Sequence, residues 1–115
     1  MMRIASAFPS PRIANRIICW YEGDEFQVSL WLDLKDADGE SVVLTAADGV
    51  EVDVKNDRQE SVKKFEFSDV ENNTVTLVFD NDVTALFKAG TYYYDIRLSG
   101  TYNTTAAKNN IMKVE

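Results

Sequence analysis

In four separate stretches of this sequence, apolar residues recur at every second position. Phe26, Val28, Leu30 and Leu32 alternate with Gln27, Ser29 and Trp31, and Val50, Val52 and Val54 alternate with Glu51 and Asp53. Val75, Leu77 and Phe79 repeat the pattern, as do Tyr92, Tyr94, Ile96 and Leu98. A period of two places such residues on one face of a strand, whereas a helix would scatter them around its axis. Half-buried antiparallel strands are therefore expected. Further strands are expected at Arg16–Tyr21, Val62–Phe67 and Asn110–Val114, with a short one around Ser41–Leu44. Turn residues separate them: Glu22-Gly23-Asp24, Asp36-Ala37-Asp38-Gly39, Asp48-Gly49, Asn56-Asp57, Glu71-Asn72-Asn73 and Ser99-Gly100. About seven or eight short strands so spaced predict an all-β fold, a sandwich or small barrel.

One segment breaks the period. Asn81 to Gly90 offers a capping residue, an apolar pair at Leu86 and Phe87 and a terminating glycine, which suits one helical turn bridging two sheets. After it, Gly90-Thr91-Tyr92-Tyr93-Tyr94 resembles the tyrosine corner of immunoglobulin sandwiches, in which a tyrosine hydroxyl bonds back to the corner backbone. Gly90 and Tyr92 are the expected corner residues. With no paired cysteines beside them, the likeness is to the architecture and not to antibodies.

The composition narrows the chemistry. The 115 residues include 19 acidic and 12 basic groups and no histidine, for a net charge of −7. An acidic body is a poor match for nucleic acid or an anionic membrane. Without histidine the chain lacks the commonest general base and the commonest zinc and copper ligand. Cys19 is the only cysteine, so no intrachain disulfide or thiolate cluster can form. No stretch approaches the roughly 20 apolar residues of a membrane span, and residues 1–15 hold no apolar run of signal-peptide length. The expectations are no cofactor, no metal, no nucleic acid, no membrane and no enzymatic activity.

Charge is unevenly distributed. Residues 1–16 carry Arg3, Arg12 and Arg16 without any acid, which leaves nine basic and 19 acidic groups, a net −10, for the remainder. Both prolines lie in Phe8-Pro9-Ser10-Pro11. Proline disfavours helix and removes ladder donors. Residues 1–14 are therefore read as an extended basic arm and 15–115 as the folded body.

The order Glu22-Gly23-Asp24, an alternating strand, Asp38-Gly39, Leu44-Thr45, Val50-x-Val52-x-Val54 and Leu86-x-x-Ala89-Gly90-Thr91-Tyr92-x-Tyr94-Asp95-Ile96 resembles the immunoglobulin-like module of tailed-bacteriophage virion proteins. It is most similar to the N-terminal module of baseplate upper proteins. The likeness spans about Asn15 to Glu115, and its most specific part is the Ala-Gly-x-Tyr-x-Tyr-Asp stretch. It implies a small β-sandwich without catalytic residues, made in the host cytoplasm and built into a virion against capsid, neck or tail subunits. Where such modules tend to have glycine before the closing strand, this chain has Asn110, which tolerates the same positive-φ geometry. Baseplate upper proteins continue beyond the sandwich and this sequence stops at Glu115. The expectation is an accessory module: capsid decoration, a neck or tail adaptor, or a fibre attachment point.

Apparent sites have plainer readings. With Gly39 at the sixth position of an EF-hand loop, Leu34 and Thr45 occupy the first and twelfth, so Asp36-x-Asp38-Gly39 is a turn and not a calcium loop. Carboxylate pairs such as Asp80 with Asp82 suit a solvated loop better than a glycosidase. Trp31 and Tyr93 have the opposite parity to the apolar faces of their strands and are expected to point outward. Outward aromatics suit either a protein contact or, in an alternative reading, a carbohydrate-binding module. The expected partner contacts are Arg3, Phe8, Arg12 and Arg16 from the arm, with Trp31 and Tyr93 from the body. Association with further copies inside the particle is also open.

Overall fold

The structure, a computed structural model, describes residues 2–6, 12–14 and 17–115, the first two stretches as backbone. The strands, in chain order, are β1 Met2–Ser6, β2 Arg12–Ala14, β3 Ile17–Trp20, β4 Phe26–Leu32, β5 Leu34–Lys35, β6 Ser41–Val42, β7 Gly49–Lys55, β8 Ser61–Ser68, β9 Thr74–Phe79, β10 Gly90–Ser99 and β11 Thr104–Val114. A single helical turn, α1 Asn81–Thr84, lies between β9 and β10. Six strands form one sheet in the order β2-β3-β11-β10-β7-β8, and three form another in the order β1-β4-β9. β5 and β6 pair only with each other.

Alternation decides which face of each sheet is dry. Val28, Leu30 and Leu32 of β4 and Val75, Leu77 and Phe79 of β9 share one buried cluster with Val50, Val52 and Val54 of β7, Tyr94, Ile96 and Leu98 of β10, and Met112 and Val114 of β11. Each such side chain contributes about 1.5–3 kcal/mol relative to an exposed position. Phe26 stacks on Phe79 at 4.4 Å between ring centroids, and Trp20 meets Phe87 edge-on at 5.4 Å. Phe87, on the loop after α1, is thus drawn into the core, while Leu86 beside it stays exposed. The two sheets and this aromatic group form an all-β sandwich.

The structure corrects the sequence reading in several places. Eleven strands are described in place of seven or eight. Leu34–Lys35 is too short to show a period, and β11 begins at Thr104, six residues before the expected strand, because its first half is mostly exposed and carries no apolar alternation. One pairing is parallel: Ile18, Cys19 and Trp20 of β3 run alongside Met112, Lys113 and Val114 of β11. Parallel neighbours need a long connection, and almost the whole chain lies between these two strands. The helical turn is capped by Asp80, whose carboxylate accepts from Val83 N at 3.0 Å. The positive φ before the closing stretch falls on Asn109, at 54°, one residue ahead of Asn110.

The segment read as an arm contributes β1, which pairs antiparallel with β4, and β2, which pairs antiparallel with β3. One stretch of it therefore lies at the edge of each sheet.

Candidate contact surfaces

Trp31 ends the exposed row of β4. Leu30 and Leu32 on either side are buried, so Trp31 faces away from the core and remains 37% exposed. It borders a groove of about 240 Å³ with Leu34, Val42, Val43 and Asn72. Val43, 68% exposed, extends the apolar lip. Across the β5–β6 hairpin, Leu34 and Val42 also line a second groove of about 520 Å³, together with Leu98, Tyr102 and Ala106. The hairpin is a wall with a groove on each side.

Asn73 holds that wall in place. At a φ of 53° in the turn before β9, it is almost fully buried. Its Oδ1 accepts from Leu44 N at 2.8 Å, and its Nδ2 donates to Val42 O at 2.7 Å and to Leu32 O at 3.2 Å. Leu32 N donates in turn to Asn73 O at 2.8 Å. One amide thus satisfies backbone groups from the end of β4 and from both sides of the β6 terminus.

Tyr93 points outward from β10 between buried Tyr94 and half-buried Tyr92, on the outer face of the six-stranded sheet. It is half-buried and lies across the molecule from Trp31, so the structure does not bring these two expected contact residues together. It does bring Arg3 to Trp31: they are direct register partners across β1 and β4. Arg12 is the register partner of Cys19 across β2 and β3. Phe8 and Arg16 lie outside the described residues.

At the corner, the Tyr92 hydroxyl accepts from Lys88 N at 3.0 Å, four residues upstream, and its ring meets Phe87 edge-on. Glu22 accepts from Ala89 N at 2.6 Å. Gly90, at a φ of 152°, opens β10 opposite Val114.

Two polar clusters were not singled out from the sequence. In the first, Lys55 Nζ donates to Asp95 Oδ2 at 2.7 Å and to Gln59 Oε1 at 2.8 Å, and Asp95 Oδ1 accepts from Asn109 N at 2.7 Å. Burial alone would raise the Asp95 pKa. The Lys55 hydrogen bond, the Asn109 N–H and the charges of Lys55 and Lys108 outweigh it and hold the carboxyl below its ordinary range. In the second, Asp48 accepts from Thr45 N and from Thr101 N, both at 2.9 Å, which joins the turn before β7 to the β10–β11 hairpin. The Thr45 N–H is the main cause of a lowered Asp48 pKa, aided by Thr101 and the Thr45 hydroxyl against a desolvation penalty. Gly100 seals this junction, because a Cβ there would collide with Ala47 O. The signals were present: Asp95 closes the Tyr-x-Tyr-Asp stretch, and Asp48-Gly49 was visible as a turn.

Both carboxylates are thus already occupied by protein donors. Among the described residues no three His, Cys, Asp or Glu side chains converge as a metal site, and no helix is long and apolar enough to cross a membrane. Comparison with protein-family models, with curated proteins and with solved structures gives no match for the chain.

Proposed function

We propose that this chain is a non-catalytic structural module of a tailed-bacteriophage virion, an immunoglobulin-like sandwich that binds other virion proteins. The observation that carries the reading is the corner at residues 88–95. Three marked positions of the stretch that resembles the phage modules have a defined task there. Tyr92 bonds back to Lys88, Tyr94 fills the core, and Asp95 anchors Lys55. Strand order supports the same reading. With β1, β4, β7, β9, β10 and β11 taken as strands A, B, C, E, F and G, one sheet holds A, B and E and the other C, F and G, as in immunoglobulin sandwiches.

The contact surface in this reading is the end of the three-stranded sheet where Trp31 adjoins Val43 and stands in register with Arg3. Aromatic and arginine side chains are the residues most enriched at protein contacts. The test is cosedimentation of the purified chain with capsid, neck or tail particles. Retention by particles that falls at least about tenfold for Trp31→Ala supports the proposal. Binding to a glycan array without cosedimentation would favour the sugar-stacking alternative.

A further inference from the structure

We infer that two copies of this chain associate edge to edge through β8, about a two-fold axis that passes beside Phe65. The inference does not rest on the virion reading. β8 is the last strand of its sheet, and β9 is the last strand of the other on the same side of the sandwich, with the Phe65 and Phe79 rings 5.3 Å apart. β9 reads Thr-Val-Thr-Leu-Val-Phe, with no charge, proline or glycine, and Val78 is 46% exposed. Such an edge invites pairing unless something covers it.

The sequence of β8 selects the cover and its register. When Phe65 pairs antiparallel with its own copy, Lys64 stands opposite Glu66 of the second copy and Glu66 opposite Lys64. Lys63 then stands opposite Phe67. Residues directly opposite share a face, so both charge pairs form on the outer side, while the inner side sets Phe65 against Phe65 and Phe67 against Lys63, a cation that already lies 5.6 Å over the Phe65 ring. A shift of two residues either way sets Lys64 against Lys64 or Glu66 against Glu66, and only the central register is complementary.

The monomer itself has a charge that this arrangement neutralises. Glu66 is the register partner of Glu51 on β7, a like-charge opposition. Lys64 lies 3.6 Å from Glu51, and Glu66 makes no ion pair among the described residues. Lys64 of a second copy supplies the missing cation. Lysines on an edge are also a device for keeping strands apart. The two roles diverge on charge reversal.

Sedimentation equilibrium of the full chain at low salt separates them. The wild type is expected to show a monomer–dimer equilibrium. Lys64→Glu and Glu66→Lys should each weaken it about tenfold or more, because each replaces two attractions with two repulsions. The double variant Lys64→Glu/Glu66→Lys should recover the dimer. An equimolar mixture of the two single variants should form a heterodimer, which keeps the test readable if the double variant folds poorly. Circular dichroism confirms that each variant is folded. A wild type that stays monomeric, single variants that dimerise as well as the wild type, or failure of both the mixture and a folded double variant to recover the dimer would each overturn the inference.

Discussion

The two sheets present different chemistry to solvent. The outer face of the six-stranded sheet carries charge held by partners far apart in sequence: Lys55 with Asp95, and Lys64 with Glu51. On the three-stranded sheet the outward residues of β4 and β9 are uncharged. Ser29 and Thr76 share a hydrogen bond at 2.9 Å, with Gln27, Val78 and Trp31 beside them. Dehydrating an ion pair is costly even when it stays paired, whereas hydroxyls that already bond each other and an aromatic ring lose little when covered. Covering the outer face of the smaller sheet therefore costs less than covering that of the larger one.

Each sheet also depends on one polar side chain, and the largest expected effect is on the smaller sheet. Asn73→Ala should lower stability by about 2–4 kcal/mol, read by chemical denaturation, because Leu44 N, Val42 O and Leu32 O lose a partner and alanine disfavours the positive φ. A loss under about 1 kcal/mol would mean that the β5–β6 wall stands without it.

Second in size is the charged cluster. Asp95→Asn should cost about 1–3 kcal/mol at neutral pH, since Lys55 is almost fully buried and loses its anionic partner. The pH dependence has a definite sign. The Asp95 and Asp48 carboxyls are held below their ordinary value of 3.8, so the stability they contribute is present at neutral pH. It fades as pH falls below that value and through the folded-state pKa. Thermal melts across an acid series should show a shallower acid loss for Asp95→Asn than for the wild type, and an unchanged slope would contradict the assignment.

The corner comes third. Tyr92→Phe removes one hydrogen bond to Lys88 N and keeps the ring against Phe87, for an expected cost of about 0.5–1.5 kcal/mol by denaturant midpoint. The smallest effect on stability is expected at Trp31. Trp31→Ala should change the midpoint by no more than about 0.5–1 kcal/mol, because the side chain leaves no void in the core. A larger loss would make Trp31 a packing residue and weaken the contrast between the faces.

The strands that alternate were legible because one face is dry and the other wet. Phe26 to Leu32 and Val50 to Val54 encode that asymmetry directly. The first half of β11 was not legible, since Thr104 to Asn109 gain their strand geometry from pairing with β10 and not from a buried face of their own. Val50 to Val54 was legible as a strand, but Lys55 after it was not legible as a buried cation, because its burial depends on Gln59, Asp95 and Asn109 converging from three other segments. Asn73 shows the same limit. A turn residue is visible in the local sequence, but the three backbone groups it serves lie 29 to 41 positions away.

The central claim is that the chain is a structural component of a virion. The most direct measurement is quantitative mass spectrometry of gradient-purified phage particles released by the cells that produce it. The account predicts the intact chain in those particles at a fixed, symmetric copy number relative to the capsid or tail subunits. Particles free of the chain, with all of it left in the soluble fraction, would contradict the claim.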